Sequence, residues 1–75
     1  MDYEAAMAVG AALAALGELL ERKGICTTTE LAMTLGECAV AAEGAGPERV
    51  RRAGYLGAWA YVVKLAADGV GIDDG

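Results

Sequence analysis

Thirteen consecutive residues, Ala5 to Gly17, carry no charged or hydrogen-bonding side chain. The run is rich in alanine, the strongest helix former, and lies in a segment with an acidic start and a basic end, as a helix dipole favours. Its larger apolar residues recur at i, i+4, i+7 and i+11, which is one helical face: Val9, Leu13, Leu16 and Leu20. Because its other faces are mostly Ala and Gly, the run predicts a central helix that contacts neighbours on more than one side.

A tight turn follows this first helix. Gly24 is the expected left-handed residue just past the helix end, and Ile25 then occupies the position where a Schellman motif brings an apolar side chain against Leu20. Thr27 and Glu30 have the spacing of a capping box, which starts a second helix. Two helices joined by so short a connector form a hairpin or a corner.

The predicted fold is all-α, a single compact three-helix domain over residues 1–75 with a tight hairpin between helices 1 and 2. The helices are expected over about 3–23, 28–43 and 47–68, with helix 1 packed between the other two. The tail 70–75 has no periodicity and is expected to fray.

The later helices have their own boundary and packing signals. Pro47 suits the first position of helix 3, and Gly69 suits its C-terminal cap. The expected core face of helix 2 is Leu31, Leu35, Cys38 and Ala42. The expected stripe of helix 3 is Val50, Tyr55, Leu56, Trp59, Val62, Val63 and Ala66, and Val70 is expected to touch Leu65.

Four glycines lie inside the predicted helices, at Gly10, Gly17, Gly54 and Gly57. Each costs up to about 1 kcal/mol relative to alanine in a helix interior. We expect them to allow close approach of helices 1 and 3. The competing interpretation is that the helices break at one or two of them.

Size and charge limit the possible partners. A chain of 75 residues without Phe and with one Trp has little core volume, so a dimer or a tight complex would supply extra burial. Eleven acids against six bases give a net charge of −5, which argues against direct nucleic-acid binding. The same balance favours a larger basic protein as partner.

The N-terminal residues Met-Asp-Tyr-Glu lack the basic start of a signal peptide, and the uncharged run is shorter than the roughly 20 apolar residues that span a bilayer. The expected location is therefore cytoplasmic, without membrane association.

Cys26 and Cys38 have no neighbouring thiol or imidazole, so zinc spacing is absent. Reduced thiols are expected, with a single disulfide as the alternative.

Catalysis is disfavoured by residue type. The chain has no Ser, His or Asn, and both cysteines occupy positions expected to pack in apolar surroundings. Helix capping explains the run Thr27 to Thr29, and the acidic pairs match an ordinary solvated helix surface. We therefore expect no enzyme, no cofactor and no metal site, with a small cysteine-dependent enzyme as a remote alternative.

Negative charge is concentrated in the first two helices. Residues 1–46 contain seven acids and two bases, whereas residues 47–75 contain four of each. On helix 2, the predicted core face leaves Met33 and Val40 on the opposite side, with an acidic rim. An apolar strip with a polar rim is typical of an interaction surface. The predicted partner-binding residues are Glu30, Met33, Glu37, Val40, Glu43, Glu18 and Glu21; a helix buried on two sides, or a dimer contact, is the alternative.

Three arginines, Arg49, Arg51 and Arg52, lie at the start of helix 3, where the helix dipole disfavours positive charge. We expect them to bridge to acids on helices 1 and 2. The alternative is contact with an anion or RNA.

The turn region consists of Glu18-Leu19-Leu20-Glu21-Arg22-Lys23-Gly24-Ile25, followed by Thr-Thr-Thr-Glu-Leu. It resembles the segments of two helices joined by a short turn that are common in small bacterial and phage proteins of unassigned role. In size, acidity and helical pattern the chain also resembles the small phage-encoded anti-CRISPR proteins. Several of these present an acidic surface to the positive DNA-binding groove of a CRISPR effector. The resemblance rests on no motif and assigns no residue. It implies a non-enzymatic inhibitor that occupies a basic surface of a larger protein; the alternative is a homo-oligomerisation module that pairs through Met33 and Val40 or through the helix 3 aromatics.

Overall fold

The computed structural model describes residues 1–69 and contains three α-helices. They are α1 (Tyr3–Arg22), α2 (Thr28–Gly44) and α3 (Val50–Ala67), with a 3-10 turn over Pro47–Arg49 before α3. Strands are absent from the described part of the chain. The predicted all-α, three-helix fold is confirmed, and the 3-10 turn replaces the first turn of the predicted third helix.

The end of α1 has the predicted Schellman geometry. The N–H of Ile25 donates to the carbonyl of Leu20 and that of Gly24 to the carbonyl of Glu21, each at 3.0 Å. Gly24 has a φ of +74°, which a side chain would disfavour. The Ile25 side chain itself remains 70 % exposed, so the backbone bonds, rather than an apolar contact, define this turn.

The start of α2 has the predicted capping box. The N–H of Glu30 donates to Thr27 Oγ1 at 3.0 Å, and the N–H of Thr27 donates to Glu30 Oε1 at 2.8 Å. Both groups would otherwise be unpaired donors at a helix N-terminus. The hairpin between α1 and α2 is therefore fixed by local hydrogen bonds on both sides of the turn.

The central helix is α3, not α1 as the uncharged run predicted. α3 packs along both other helices and most extensively against α2, while α1 and α2 contact each other least. The core lies where all three helices meet, at Ala14, Ala32 and Val63, and Val63 is fully buried. Four partly buried residues surround it: Leu13, Leu31, Leu35 and Ala66.

The fully buried residues of α1 are small, and the predicted stripe is confirmed only in part, because Val9, Leu13 and Leu20 are half-buried and Leu16 is exposed. Gly10, Ala14 and Gly17 are buried, whereas Leu16 is 44 % exposed. A face of small side chains lets a neighbouring helix approach closely, so the side chains of that neighbouring helix make the packing contacts with α1. The stripe of larger residues is consequently rotated partly toward solvent.

Helix α2 shows a similar correction. Its buried residues are Thr28, Ala32 and Ala42, with Leu31 and Leu35 half-buried, and Cys38 is exposed rather than in the core. On α3, Val50 is 56 % exposed and Ala53 is buried in its place.

The helices run without interruption through their internal glycines. Gly10 allows the close approach of α1 and α3 that was predicted, since a Cβ there would lie 3.3 Å from Trp59 Cδ1. Gly17 instead faces α2, where a Cβ would lie 3.0 Å from Leu31 Cδ2. Gly57 also faces α2. The expected pairing of helices 1 and 3 through glycines therefore holds only at Gly10.

The C-terminal end of α3 is capped by a glycine. Gly69 has a φ of +79° and caps α3 as predicted, whereas the expected Val70 contact and the tail 70–75 lie outside the described residues.

By length and composition alone, α1 is apolar enough to cross a membrane, because the helix extends beyond the uncharged run. A core helix of a soluble protein meets the same criterion, so this property assigns no location.

Candidate protein-binding surface

The outer side of α2 exposes two large apolar side chains. Met33 is 61 % exposed and Val40 is 70 % exposed, and together with Gly36 and Glu37 they line a shallow depression. The buried residues of α2 lie on its other side. We call this surface the α2 face, defined by Glu30, Met33, Glu37, Val40 and Glu43.

A neighbouring aromatic residue extends the α2 face onto α3. Met33 also lines a second depression, which it shares with Tyr61, and Tyr61 is 65 % exposed. Tyr61 lies outside the apolar stripe predicted for helix 3 and is not among the predicted partner-binding residues, although it is one of the helix 3 aromatics named in the homo-oligomerisation alternative. That position was itself a signal, since an aromatic residue off the core-facing stripe of a helix is exposed to solvent. Tyr61, Met33 and Val40 thus form one continuous apolar strip.

The charges around this strip are predominantly acidic. Glu37 and Glu43 are exposed, and neither forms an ion pair within 4.0 Å among residues 1–69. The basic side chain beside Tyr61, Lys64, pairs with Asp68 at 2.7 Å. The strip therefore has an acidic rim whose carboxylates are available to a partner.

Glu30 has a different role from the other acids of the α2 face. Its carboxylate accepts hydrogen bonds from the backbone N–H and the hydroxyl of Thr27, at 2.8 and 3.2 Å. Because it completes the capping box, a substitution at Glu30 changes the start of α2 as well as the surface charge.

Glu18 and Glu21 lie apart from the α2 face. They line a separate depression with Arg22, Thr28 and the end of α3. The Glu21 carboxylate accepts a hydrogen bond from the backbone N–H of Thr28 at 2.7 Å, and this bond lowers the pKa of Glu21 below its usual value. Glu21 thus joins α1 to the start of α2, a structural role that the sequence analysis did not recognise.

The expected arginine bridges are not formed within the described range. Lys64 with Asp68 is the sole ion pair within 4.0 Å among residues 1–69, so Arg49, Arg51 and Arg52 have no acidic partner there. All three arginines are exposed. The interpretation of this triplet as a link between helices is therefore wrong for this part of the chain.

The two cysteines are not joined by a disulfide. Cys26 is half-buried, Cys38 is exposed, and both are free. Across residues 1–69, no group of three or more His, Cys, Asp or Glu side chains could hold a metal ion.

The fold and its surfaces define a small all-α protein with an acidic and apolar outer face on α2. Comparisons with protein-family models, with curated proteins and with solved structures find no significant match to the chain.

Proposed function

We propose that this chain is a non-enzymatic binding protein whose α2 face docks against a basic surface of a larger protein. The observation that carries the proposal is the strip of Met33, Val40 and Tyr61, each more than 60 % exposed, beside the carboxylates of Glu37 and Glu43, which form no ion pair within 4.0 Å among residues 1–69. A contiguous apolar strip with a polar rim has the composition of a protein interface. Aromatic and Met side chains are the residue types enriched in such interfaces.

The charge of the α2 face supports a basic partner. Glu37 and Glu43 have no cation within 4.0 Å in the described range, so a partner with Lys or Arg side chains would gain complementary contacts. Opposite potentials also raise the association rate, an effect that salt screens. In its most concrete form, the protein is an anti-CRISPR inhibitor that blocks the DNA-binding groove of a CRISPR effector complex.

The test compares three forms of the full chain against a panel of purified CRISPR effector complexes. Binding and inhibition of target-DNA binding are measured at low and high salt. We expect the unmodified protein to inhibit at least one complex at low salt and to weaken at high salt. Glu37→Lys, which reverses a rim charge without touching the capping box, should abolish binding. Glu4→Lys makes the same charge change on α1 and should retain it.

Equal binding by Glu37→Lys and Glu4→Lys would contradict the assignment of the α2 face as the binding site. If the panel shows no inhibition, affinity capture from a bacterial lysate followed by mass spectrometry supplies basic candidate partners. Each candidate is then purified and measured with the same variants, and insensitivity of every candidate to Glu37→Lys overturns the proposal.

The second candidate function is a homo-oligomerisation module, favoured by the same exposed strip of Met33, Val40 and Tyr61. Sedimentation over a range of concentrations separates the two functions. A dimer that Met33→Ser dissociates supports the module, whereas a monomer at high concentration supports the inhibitor.

A further inference from the structure

A second apolar surface lies on the other side of α3, between α3 and the N-terminal half of α1. It is a groove of about 370 Å³, within the size range of small-molecule sites. We call it the aromatic groove. Its lining residues include Met7 on α1 and Arg51, Tyr55 and Trp59 on α3.

The polar atoms of two groove aromatics are already engaged. Trp59 Nε1 donates to the carbonyl of Ala6 at 2.9 Å, and the Tyr55 hydroxyl donates to the carbonyl of Met1 at 2.7 Å. The two rings lie 5.8 Å apart between centroids, tilted by 31°. These bonds hold both rings in place, so the aromatics offer a ligand apolar ring surface rather than hydrogen bonds.

The charge in the groove is supplied by one residue. Arg51 is the sole charged side chain among the lining residues, and it has no acidic partner within 4.0 Å in residues 1–69. A guanidinium binds a carboxylate through two parallel hydrogen bonds. An otherwise apolar groove with one available guanidinium matches a ligand with an apolar body and one anionic end.

We propose that the aromatic groove binds a small amphipathic monocarboxylate. Its apolar body lies against Trp59, Tyr55 and Met7, and its carboxylate pairs with Arg51. Its lining residues include none of Met33, Val40 and Tyr61, so this site is separate from docking through the α2 face.

The chain carries its own reporter for this site. Trp59 is the only tryptophan, and it lines the groove. Decanoate, kept below its micelle concentration, is titrated into the full-length protein while Trp59 fluorescence and binding heat are recorded. Decanol serves as the neutral probe of the same chain length. We expect saturable binding of decanoate and weaker binding of decanol.

Arg51→Gln should weaken decanoate binding about tenfold or more, as expected for the loss of a charge-assisted pair, and should leave decanol binding unchanged. Arg51→Lys should restore part of the preference for decanoate. Arg49→Gln makes the same charge change at a residue outside the groove lining and should have no effect. Circular dichroism and thermal unfolding confirm that each variant is folded.

Any one of the following results would overturn the proposal. They are equal affinity for decanoate and decanol in the unmodified protein, equal loss of decanoate binding in Arg49→Gln and Arg51→Gln, and a fluorescence change without saturation. Binding of an acidic apolar peptide without any binding of decanoate would assign the groove to a protein partner and would overturn it as well.

Discussion

The indole Nε1 of Trp59 on α3 donates a hydrogen bond of 2.9 Å to the backbone carbonyl of Ala6 on α1, which lies 53 residues earlier in the chain. The nearby Tyr55 hydroxyl makes a similar bond to Met1. These bonds attach the beginning of α1 to α3, while the Schellman turn and Glu21 attach its end to α2. Helix α1 is thereby held at both ends, and its middle packs through the buried residues Gly10, Ala14 and Gly17.

Trp59→Phe should destabilise the fold by about 1 kcal/mol, because the ring is kept in part and the hydrogen bond to Ala6 is lost. Urea unfolding followed by circular dichroism measures the change. Tyr61→Phe is the matched control, since Tyr61 is 65 % exposed and donates no hydrogen bond within residues 1–69. Equal destabilisation by the two variants would contradict the structural role of the Trp59 bond.

Leucine at Gly10 or Gly17 should destabilise the protein by about 1–3 kcal/mol through overpacking. Even a Cβ would lie 3.3 Å from Trp59 at Gly10 and 3.0 Å from Leu31 at Gly17. Gly54→Ala is the opposite case. A Cβ there meets no atom within 4 Å, so the variant should gain up to about 1 kcal/mol from helix propensity. Thermal unfolding of the three variants should therefore give melting temperatures on opposite sides of the unmodified protein.

Val63→Ala should cost about 2 kcal/mol or more, because Val63 is fully buried where the three helices meet and its methyl groups leave a cavity. In a domain of this size, such a loss is a large part of the total stability. Val40→Ala removes the same two methyl groups at a position 70 % exposed and should change stability by less than about 0.5 kcal/mol. Denaturant unfolding of both variants tests the difference, and similar values would show that the core is misplaced.

Glu21 should make stability depend on pH in the acidic range. The hydrogen bond from Thr28 lowers the pKa of Glu21 in the folded state, so the unfolded state binds the proton more readily. The stabilisation is complete above the usual carboxyl pKa of 4.5 and is lost as the pH falls through the lower pKa of the folded protein.

Glu21→Gln should therefore be less stable than the unmodified protein at neutral pH, and this difference should shrink as the pH falls below 4.5. Unfolding curves at a series of pH values measure it. Glu18→Gln is the control, since Glu18 accepts no side-chain hydrogen bond among residues 1–69. A constant difference between Glu21→Gln and the unmodified protein at every pH would contradict the role of ionised Glu21.

Thr27→Ala should destabilise the protein by about 1 kcal/mol, because the N–H of Glu30 loses its acceptor at the start of α2. Thr29→Ala removes the same hydroxyl two residues later, where no side-chain hydrogen bond is formed in the described part of the chain, and should have little effect. Thermal unfolding compares the two variants, and Thr27→Ala should have the lower melting temperature. Equal melting temperatures would contradict the role of the Thr27 hydroxyl as a cap.

Local sequence patterns were enough to predict the features that depend on neighbouring residues. Gly24 ends α1, Thr27 and Glu30 start α2, and Gly69 caps α3, because each motif closes its hydrogen bonds within a few residues. The exposed position of Met33 and Val40 was also predictable, since it follows from the opposite placement of Leu31 and Leu35 on one helix.

The packing of the three helices, rather than any local pattern, establishes which helix is central and which face of α1 is buried. A pattern of leucines predicts that the helix face with the largest apolar side chains is buried. Close packing instead favours the face with small residues, such as Gly10 and Ala14, because a neighbouring helix can approach it closely. The same packing places Tyr61 beside Met33 and Trp59 against Ala6 of α1. The members of each pair are distant in sequence, and their proximity depends on how the helices pack rather than on any local pattern.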